Sequence, residues 1–314
     1  MRVYRSLDEL PADTPRSVAI GTFDGVHRGH RAIIGAAVAR ARELGCESLV
    51  LTFDPHPAAV VRPDRAPERL CSLESELELM ADTGVDAVLV VPFTRELAST
   101  EAATFVDEIL AGRAGARHVE VGENFRFGHR AAGDADLLAA RGVALGFTVH
   151  AHPLVVYDGQ VVSSSRIRTL VMEGDMEGAV RLLGGPLPFD GVVEAGRGRG
   201  RGLGIPTANL PVPEGRVTPA TGVYVADAHL PAGGGRARAA VSVGTNPTFE
   251  RAVDAQVVVE AFLLDFDGDL YGGRLRLDLW RRLRPEIAYP SATELMEQVD
   301  RDIAATREFA PPPL

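Results

Sequence analysis

Through its first 185 residues the chain alternates short apolar runs with stretches of helical periodicity, and this alternation narrows the choice of architecture more than any other feature. "SVAI" (17–20) leads into a glycine-containing turn. "RAIIGAAVARARELG" follows, with apolar positions at helical spacing and a closing glycine. "ESLVLTF", "VDAVLVVPF", "HVEVG" and "FTVHAHPLVVYDGQVV" read as further strands. The helical patterns "SLESELELMADTG", "STEAATFVDEILAG" and "GDADLLAARG" lie between them. Strand–helix repetition of this kind predicts an α/β domain with a parallel, doubly wound sheet, whose ligands bind beyond the carboxyl ends of the strands.

Around "RLLGGPLPFDG" the pattern changes. Valine-rich stretches such as "GVYVADAHL", "RAAVSVG", "AQVVVEAFLLDF" and "GGRLRLDLW" are punctuated by Gly, Pro and Asp, which predicts a small antiparallel β-barrel. "SATELMEQVDRDIAATREF" reads as a terminal helix, with Ser291 and Glu294 at capping-box spacing. The expected division is therefore 1–185 and 186–314.

Composition removes several function classes. A net charge of −10 disfavours wholesale binding to nucleic acid or to an anionic membrane. No apolar run approaches the roughly 18 residues of a membrane span, and "MRVYRSLDEL" is no signal peptide, so a cytoplasmic protein is expected. The 33 basic side chains other than histidine are all arginine, which excludes Schiff-base chemistry and a P-loop lysine. A phosphate must then be met by arginine, histidine, backbone N–H groups or metal. Cys46 and Cys71 have no partner at metal-ligand spacing and read as free thiols of a reducing compartment, Cys46 being expected to be buried.

"AIGTFDGVHRGHRAI" (19–33) places His27 and His30 where a strand hands over to a helix. A helix start presents unpaired N–H groups and a positive dipole end to an anion, and two imidazoles add donors there. A tight turn with one packed histidine is the plain alternative, and a zinc pair a third, weakened by the want of a further ligand. In "GENFRFGHRAAGD" (122–134), Asn124 and Arg126 offer polar contacts to a base or phosphate, and Phe125 or Phe127 a stacking face. The alternative there is an ordinary loop with buried phenylalanines. "VVSSSRIRTL" (161–170) sets serines at a helix start, with Arg168 on the first turn.

In the second half "GRGRGRGLGIPTANL" (196–210) reads either as an RNA-binding Gly/Arg segment or as an arch bringing backbone N–H groups to a polyphosphate. The run stops after three arginines and enters an extended segment, which favours the arch. Thr207 and Asn209, two apart, project to one side with a hydroxyl and an amide oxygen, ligands that suit Mg²⁺. Glu260 is a single carboxylate inside an apolar strand. It is either an outward-facing residue or a base that deprotonates an alcohol.

Taken in order, these segments resemble the bacterial bifunctional riboflavin kinase/FMN adenylyltransferases (FAD synthetases). The G-x-F-D-G-x-H-x-G-H pattern is complete at Gly21, Phe23, Asp24, Gly25, His27, Gly29 and His30. "LTFDPHP", "GENFRFG" and "SSSRIR" follow in the family's order, the last more usually Ser-Ser-Thr. P-T-A-N stands at Pro206 to Asn209, while Arg197 and Gly202 depart from the family's usual glycine loop. The resemblance implies a Rossmann-like nucleotidyltransferase domain followed by a riboflavin kinase-like barrel. It implies catalytic roles for His27, His30 and Glu260. Nucleotide contacts fall to Gly21, Phe23, Asn124, Ser164, Ser165, Arg168, Gly196 and Gly204, and Mg²⁺ to Thr207 and Asn209. ATP, riboflavin and FMN are the expected small-molecule partners. The alternatives are a chain with one active module, or a flavin-binding regulator without turnover.

Overall fold

A computed structural model describes residues 1–195, 205–245 and 257–314. The chain forms two compact units, Met1–Pro67 with Leu73–Val162, and Glu68–Ser72 with Ser163–Leu314.

The first unit is built on a six-stranded sheet. Its strands are β1 (Arg2–Tyr4), β2 (Arg16–Ile20), β3 (Glu47–Asp54), β4 (Ala87–Pro92), β5 (Ala116–Gly122) and β6 (Thr148–His152), in the order β1-β4-β3-β2-β5-β6. All five pairings are parallel, as the strand–helix alternation predicts. β1, which the sequence pattern did not announce, adds to β4. From β2 the chain builds outward through β3 and β4, then returns to place β5 on the other side of β2. The carboxyl ends of β2 and β5 thus flank the topological switch point, where open α/β sheets bind their ligands.

Each face of the sheet has its own core. On one, Ala19 and Val50 pack with Ile34, Ala37 and Val38 of α1 (Arg28–Leu44). On the other, Val18, Ile20, Val119 and Val121 pack with Phe105 and Leu110. These last two belong to a π-helical segment, Phe105–Arg113, that continues the short helix α5 (Ala102–Thr104). The helices α2 (Pro57–Val61), α3 (Leu73–Ala81), α4 (Arg95–Ala98) and α6 (Ala135–Leu145) lie along the same stretch of chain. The expected extension of β6 is a hairpin of β7 (Val156–Tyr157) and β8 (Gln160–Val161).

The second unit begins with helices α7 (Ser164–Glu173) and α8 (Met176–Leu183). Its antiparallel sheet runs β10 (Ala208–Pro211), β13 (Val257–Leu263), β12 (Arg236–Thr245), β11 (Gly222–His229), β14 (Arg274–Pro285), β9 (Leu187–Val192). A bridge from Glu194, just past β9, to Asn209 of β10 joins the two edges, so the sheet curls into a nearly closed barrel. Phe189, Tyr224, Val241, Val259 and Leu277 fill its interior. The terminal helix α9 (Ala292–Glu308) starts where predicted, with Ser291 accepting the Glu294 N–H at 3.2 Å.

Candidate functional sites

The first site grows from the end of β2. This strand is buried throughout, so the chain emerges from the core at Gly21 in a fixed direction. The turn that follows is tight. Gly25 takes φ of +79°, and the Val26 N–H bonds the Phe23 carbonyl at 2.8 Å. Val26 itself has φ of +42°, a costly conformation for a β-branched residue and one that proteins hold mainly at functional turns.

His27 is the N-cap of α1. Its Nδ1 accepts the backbone N–H of His30 at 3.3 Å, which places the ring proton on Nε2. The His30 ring stacks on His27, with centroids 3.5 Å apart, and meets the edge of Phe23 at 5.2 Å. Burial, and then the neighbouring His27, push the His30 pKa well below its usual value, so this imidazole is neutral. Its Nδ1 is buried and has no hydrogen-bond partner among the described residues. Phe23 is only 2% exposed, so its ring backs His30 rather than facing solvent. Gly29 lies against the cap: a Cβ there would stand 3.2 Å from His27 Cε1.

The loop after β5 emerges beside this turn, since Ala19 of β2 is in register with Glu120 of β5. A Cβ at Gly122 would lie 3.1 Å from Asn124 Oδ1 and 3.8 Å from Ile33 Cδ1, so Asn124 is carried next to α1. Asn124 and Arg126 are exposed. Phe127 is buried in the core and Phe125 stacks on it at 5.4 Å, which leaves Phe125 as the more accessible of the two rings. His56 caps α2, its Nδ1 accepting the Ala58 N–H at 3.1 Å, a local structural role. Ser164, Ser165 and Arg168 occupy the first turns of α7, capped by Ser163, and belong to the second compact unit. Cys46 is half-buried rather than buried; Cys71 is the buried thiol.

The second site lies on the barrel. Asn209 of β10 and Ser242 of β12 both stand opposite Glu260 of β13. Side chains directly opposite in antiparallel strands share a face, with Cβ atoms about 5 Å apart. Val259 and Ala261 are fully buried while Glu260 and Asn209 are half-buried, so this row lies on the outer face. Thr207 is two residues before Asn209, and its carbonyl accepts the Asn209 Nδ2 at 3.3 Å, so Oδ1 is the atom this side chain can present to a cation. Sequence reasoning missed Ser242, because only strand register brings it beside Glu260. Gly196, Gly204, Arg197 and Gly202 lie outside the described residues.

Comparison with known proteins gives a consistent result. Residues 10–166 match the FAD synthetase family and residues 183–310 the riboflavin kinase family. The bifunctional riboflavin kinase/FMN adenylyltransferase of Pseudomonas fluorescens is 41% identical over 99% of both chains. The chain belongs to this family. The Escherichia coli K12 relative of the same name is 35% identical over 98% of both chains, and that of Bacillus subtilis 33% identical over 91% of this chain and 89% of its own. A crystal structure described as a macrolide-efflux protein from Streptococcus pneumoniae superposes with a TM-score of 0.83 at 29% identity, covering 98% of this chain and 99% of that one. Among the described residues, no helix of this chain is long and apolar enough to cross a membrane.

Proposed function

We propose that this chain makes both flavin cofactors, phosphorylating riboflavin to FMN and adenylylating FMN to FAD, with ATP as the donor in each step. The adenylyltransferase is assigned to residues 1–185 and the kinase to 186–314. What chiefly supports the reading is that each half carries its own set of groups suited to a different transfer from ATP.

In adenylyl transfer an FMN phosphate oxygen attacks the α-phosphorus of ATP, the bond to the β-phosphate breaks, and pyrophosphate leaves. No protein nucleophile is needed, only positioning and charge stabilisation. The N-terminus of α1 supplies backbone donors and a positive dipole end, and His27 stands at that end as its cap. His30, neutral in the free protein, gains a proton more readily once a polyphosphate lies against it. Gly21 lets the triphosphate approach the backbone, Phe23 steadies His30, and Asn124 reads the nucleotide. The family resemblance by itself assigns nucleotide contacts to Ser164, Ser165 and Arg168.

In the kinase step the ribityl 5′-hydroxyl attacks the γ-phosphorus of ATP and ADP leaves. Glu260 takes the hydroxyl proton. Hydroxyl, amide and carboxylate oxygens make a donor set that suits Mg²⁺, so Thr207 and Asn209 are the residues that would hold it. When bound, Mg²⁺ neutralises charge on the phosphates. Gly196 and Gly204 would bring backbone N–H groups to the same phosphates.

The deciding experiment is a chromatographic time course with riboflavin, ATP and Mg²⁺. FMN that rises and then gives way to FAD is the expected result. FMN without FAD, or FAD only from added FMN, would leave a single active module, and no product from either flavin would leave a flavin-binding protein.

A further inference from the structure

Neither proposed transfer uses the most concentrated group of metal-ligating side chains in the first unit. His118 and Glu120 are two apart on β5, as are His150 and His152 on β6, and parallel pairing aligns His118 with Thr148 and Glu120 with His150. Period-two alternation therefore gathers all of them on one face. That face is the α1 side of the sheet, since Glu120 is in register with Ala19, which packs with α1, while Val119 and Val121 point into the opposite core.

Glu120 is only 4% exposed. Its Oε2 stands 2.6 Å from His152 Nε2 and 2.9 Å from His150 Nδ1. These three ligand atoms all lie within 4.8 Å of one another. The other carboxylate oxygen, Oε1, is held by His118 Nε2 at 2.9 Å, and His118 Nδ1 is held in turn by Thr148 Oγ1 at 2.6 Å. The carboxylate is thus anchored from behind and aimed at two imidazoles. Bound metals are supported in this way, by outer groups that fix the orientation of the ligands. On the outer side the His150 side chain is 58% exposed, which leaves a path for an ion and room for water to complete its coordination.

We propose that Glu120, His150 and His152 form a binding site for a divalent first-row transition metal, zinc above all, with His118 as the positioning residue. Two imidazoles and one carboxylate make a ligand set that zinc uses with a fourth, open position. Imidazole favours zinc, nickel and copper over the oxygen-seeking Mg²⁺. Ligand atoms around tetrahedral zinc lie about 3.3 Å apart, given zinc–ligand distances of roughly 2.0–2.2 Å, so the three groups need only small side-chain shifts to admit the ion. The site ties edge strand β6 to β5. It also reaches the Asn124 loop, because the His152 carbonyl accepts the Glu123 N–H at 2.8 Å.

The test uses the full chain, stripped with a chelator and kept in Mg²⁺ buffer. Zn²⁺ is titrated against a chromophoric competitor, and Co²⁺ serves as a spectroscopic probe. One Zn²⁺ per chain is expected, with visible Co²⁺ bands of four- or five-coordinate intensity and a Tm that rises with added Zn²⁺. His150→Ala/His152→Ala should lose at least about 100-fold in affinity together with the Co²⁺ bands, and His118→Ala about 10- to 100-fold. His150→Ala alone alters an exposed ring, so its circular dichroism should match that of the parent while its affinity falls. Zinc binding that survives in the double variant, or no stoichiometric binding by the parent, would overturn the site and leave a hydrogen-bonded cluster only. Flavin turnover is not a readout here, so failure of the metal site and failure of the proposed activities remain distinguishable.

Discussion

The paired histidines of the opening turn differ in what they hold. His27 caps α1 through Nδ1, whereas His30 makes no cap. His27→Ala should therefore lower both stability, by about 1 kcal/mol for a lost cap, and FAD formation. His30→Ala should cost FAD formation roughly 10²- to 10³-fold while sparing FMN formation, as measured by the two assays run separately. Glu260→Ala should do the reverse, losing roughly 10²- to 10⁴-fold in the kinase step and keeping FAD formation from supplied FMN. Equal loss of both activities in either variant, with the fold intact, would refute this division. His30 also predicts a pH dependence. Its folded pKa lies well below 6.5, so as the pH falls under about 6.5 the unfolded chain takes up a proton that the native state refuses. Stability should decline through that window, and denaturant titrations of His30→Ala should show a shallower decline.

At the scale of elements, strand ends and register do most to place the groups. The first turn was legible because glycine, aspartate and two histidines sit between a buried strand and an amphipathic helix, a local pattern at short range. Gly29→Ala tests how closely that turn is built: the added Cβ, 3.2 Å from His27 Cε1, must push the capping imidazole. The expected outcome is slower FAD formation with unchanged FMN formation. The Glu260 row was only partly legible. Alternation shows that Glu260 opposes its buried neighbours, but the company of Asn209 and Ser242 comes from pairing across more than 17 residues of sequence, a separation no local pattern reports. The His118–Glu120–His150–His152 cluster escaped notice for the same reason, although H-x-E and H-x-H are each period-two signals on a strand.

For the whole molecule, the second unit holds a buried charge cluster around Asp190. Asp190, 6% exposed, accepts from Ser72 at 2.8 Å, Arg274 at 3.0 Å and Arg216 at 3.3 Å. Burial pushes its pKa up, but the Ser72 hydrogen bond and the two guanidinium groups outweigh that and hold it below 3.8. Its contribution is therefore present above about pH 4 and lost as the pH falls through the lower folded value. Asp190→Ala leaves Arg216, 7% exposed, without its carboxylate, and should cost roughly 3–5 kcal/mol in chemical denaturation. A loss under 1 kcal/mol would show that the cluster contributes little.

By itself the sequence determined the alternation that demands a parallel sheet, the valine-rich barrel, the helix caps and the turn that carries His27 and His30. All of these are short-range consequences of side-chain period, glycine placement and capping chemistry. Tertiary structure alone decided which strands are neighbours. It set β5 beside β2 to make the switch point, Glu260 beside Asn209, and Glu120 among three imidazoles. Strand order and register follow from how apolar faces far apart in sequence bury one another, and no window of local sequence contains that choice.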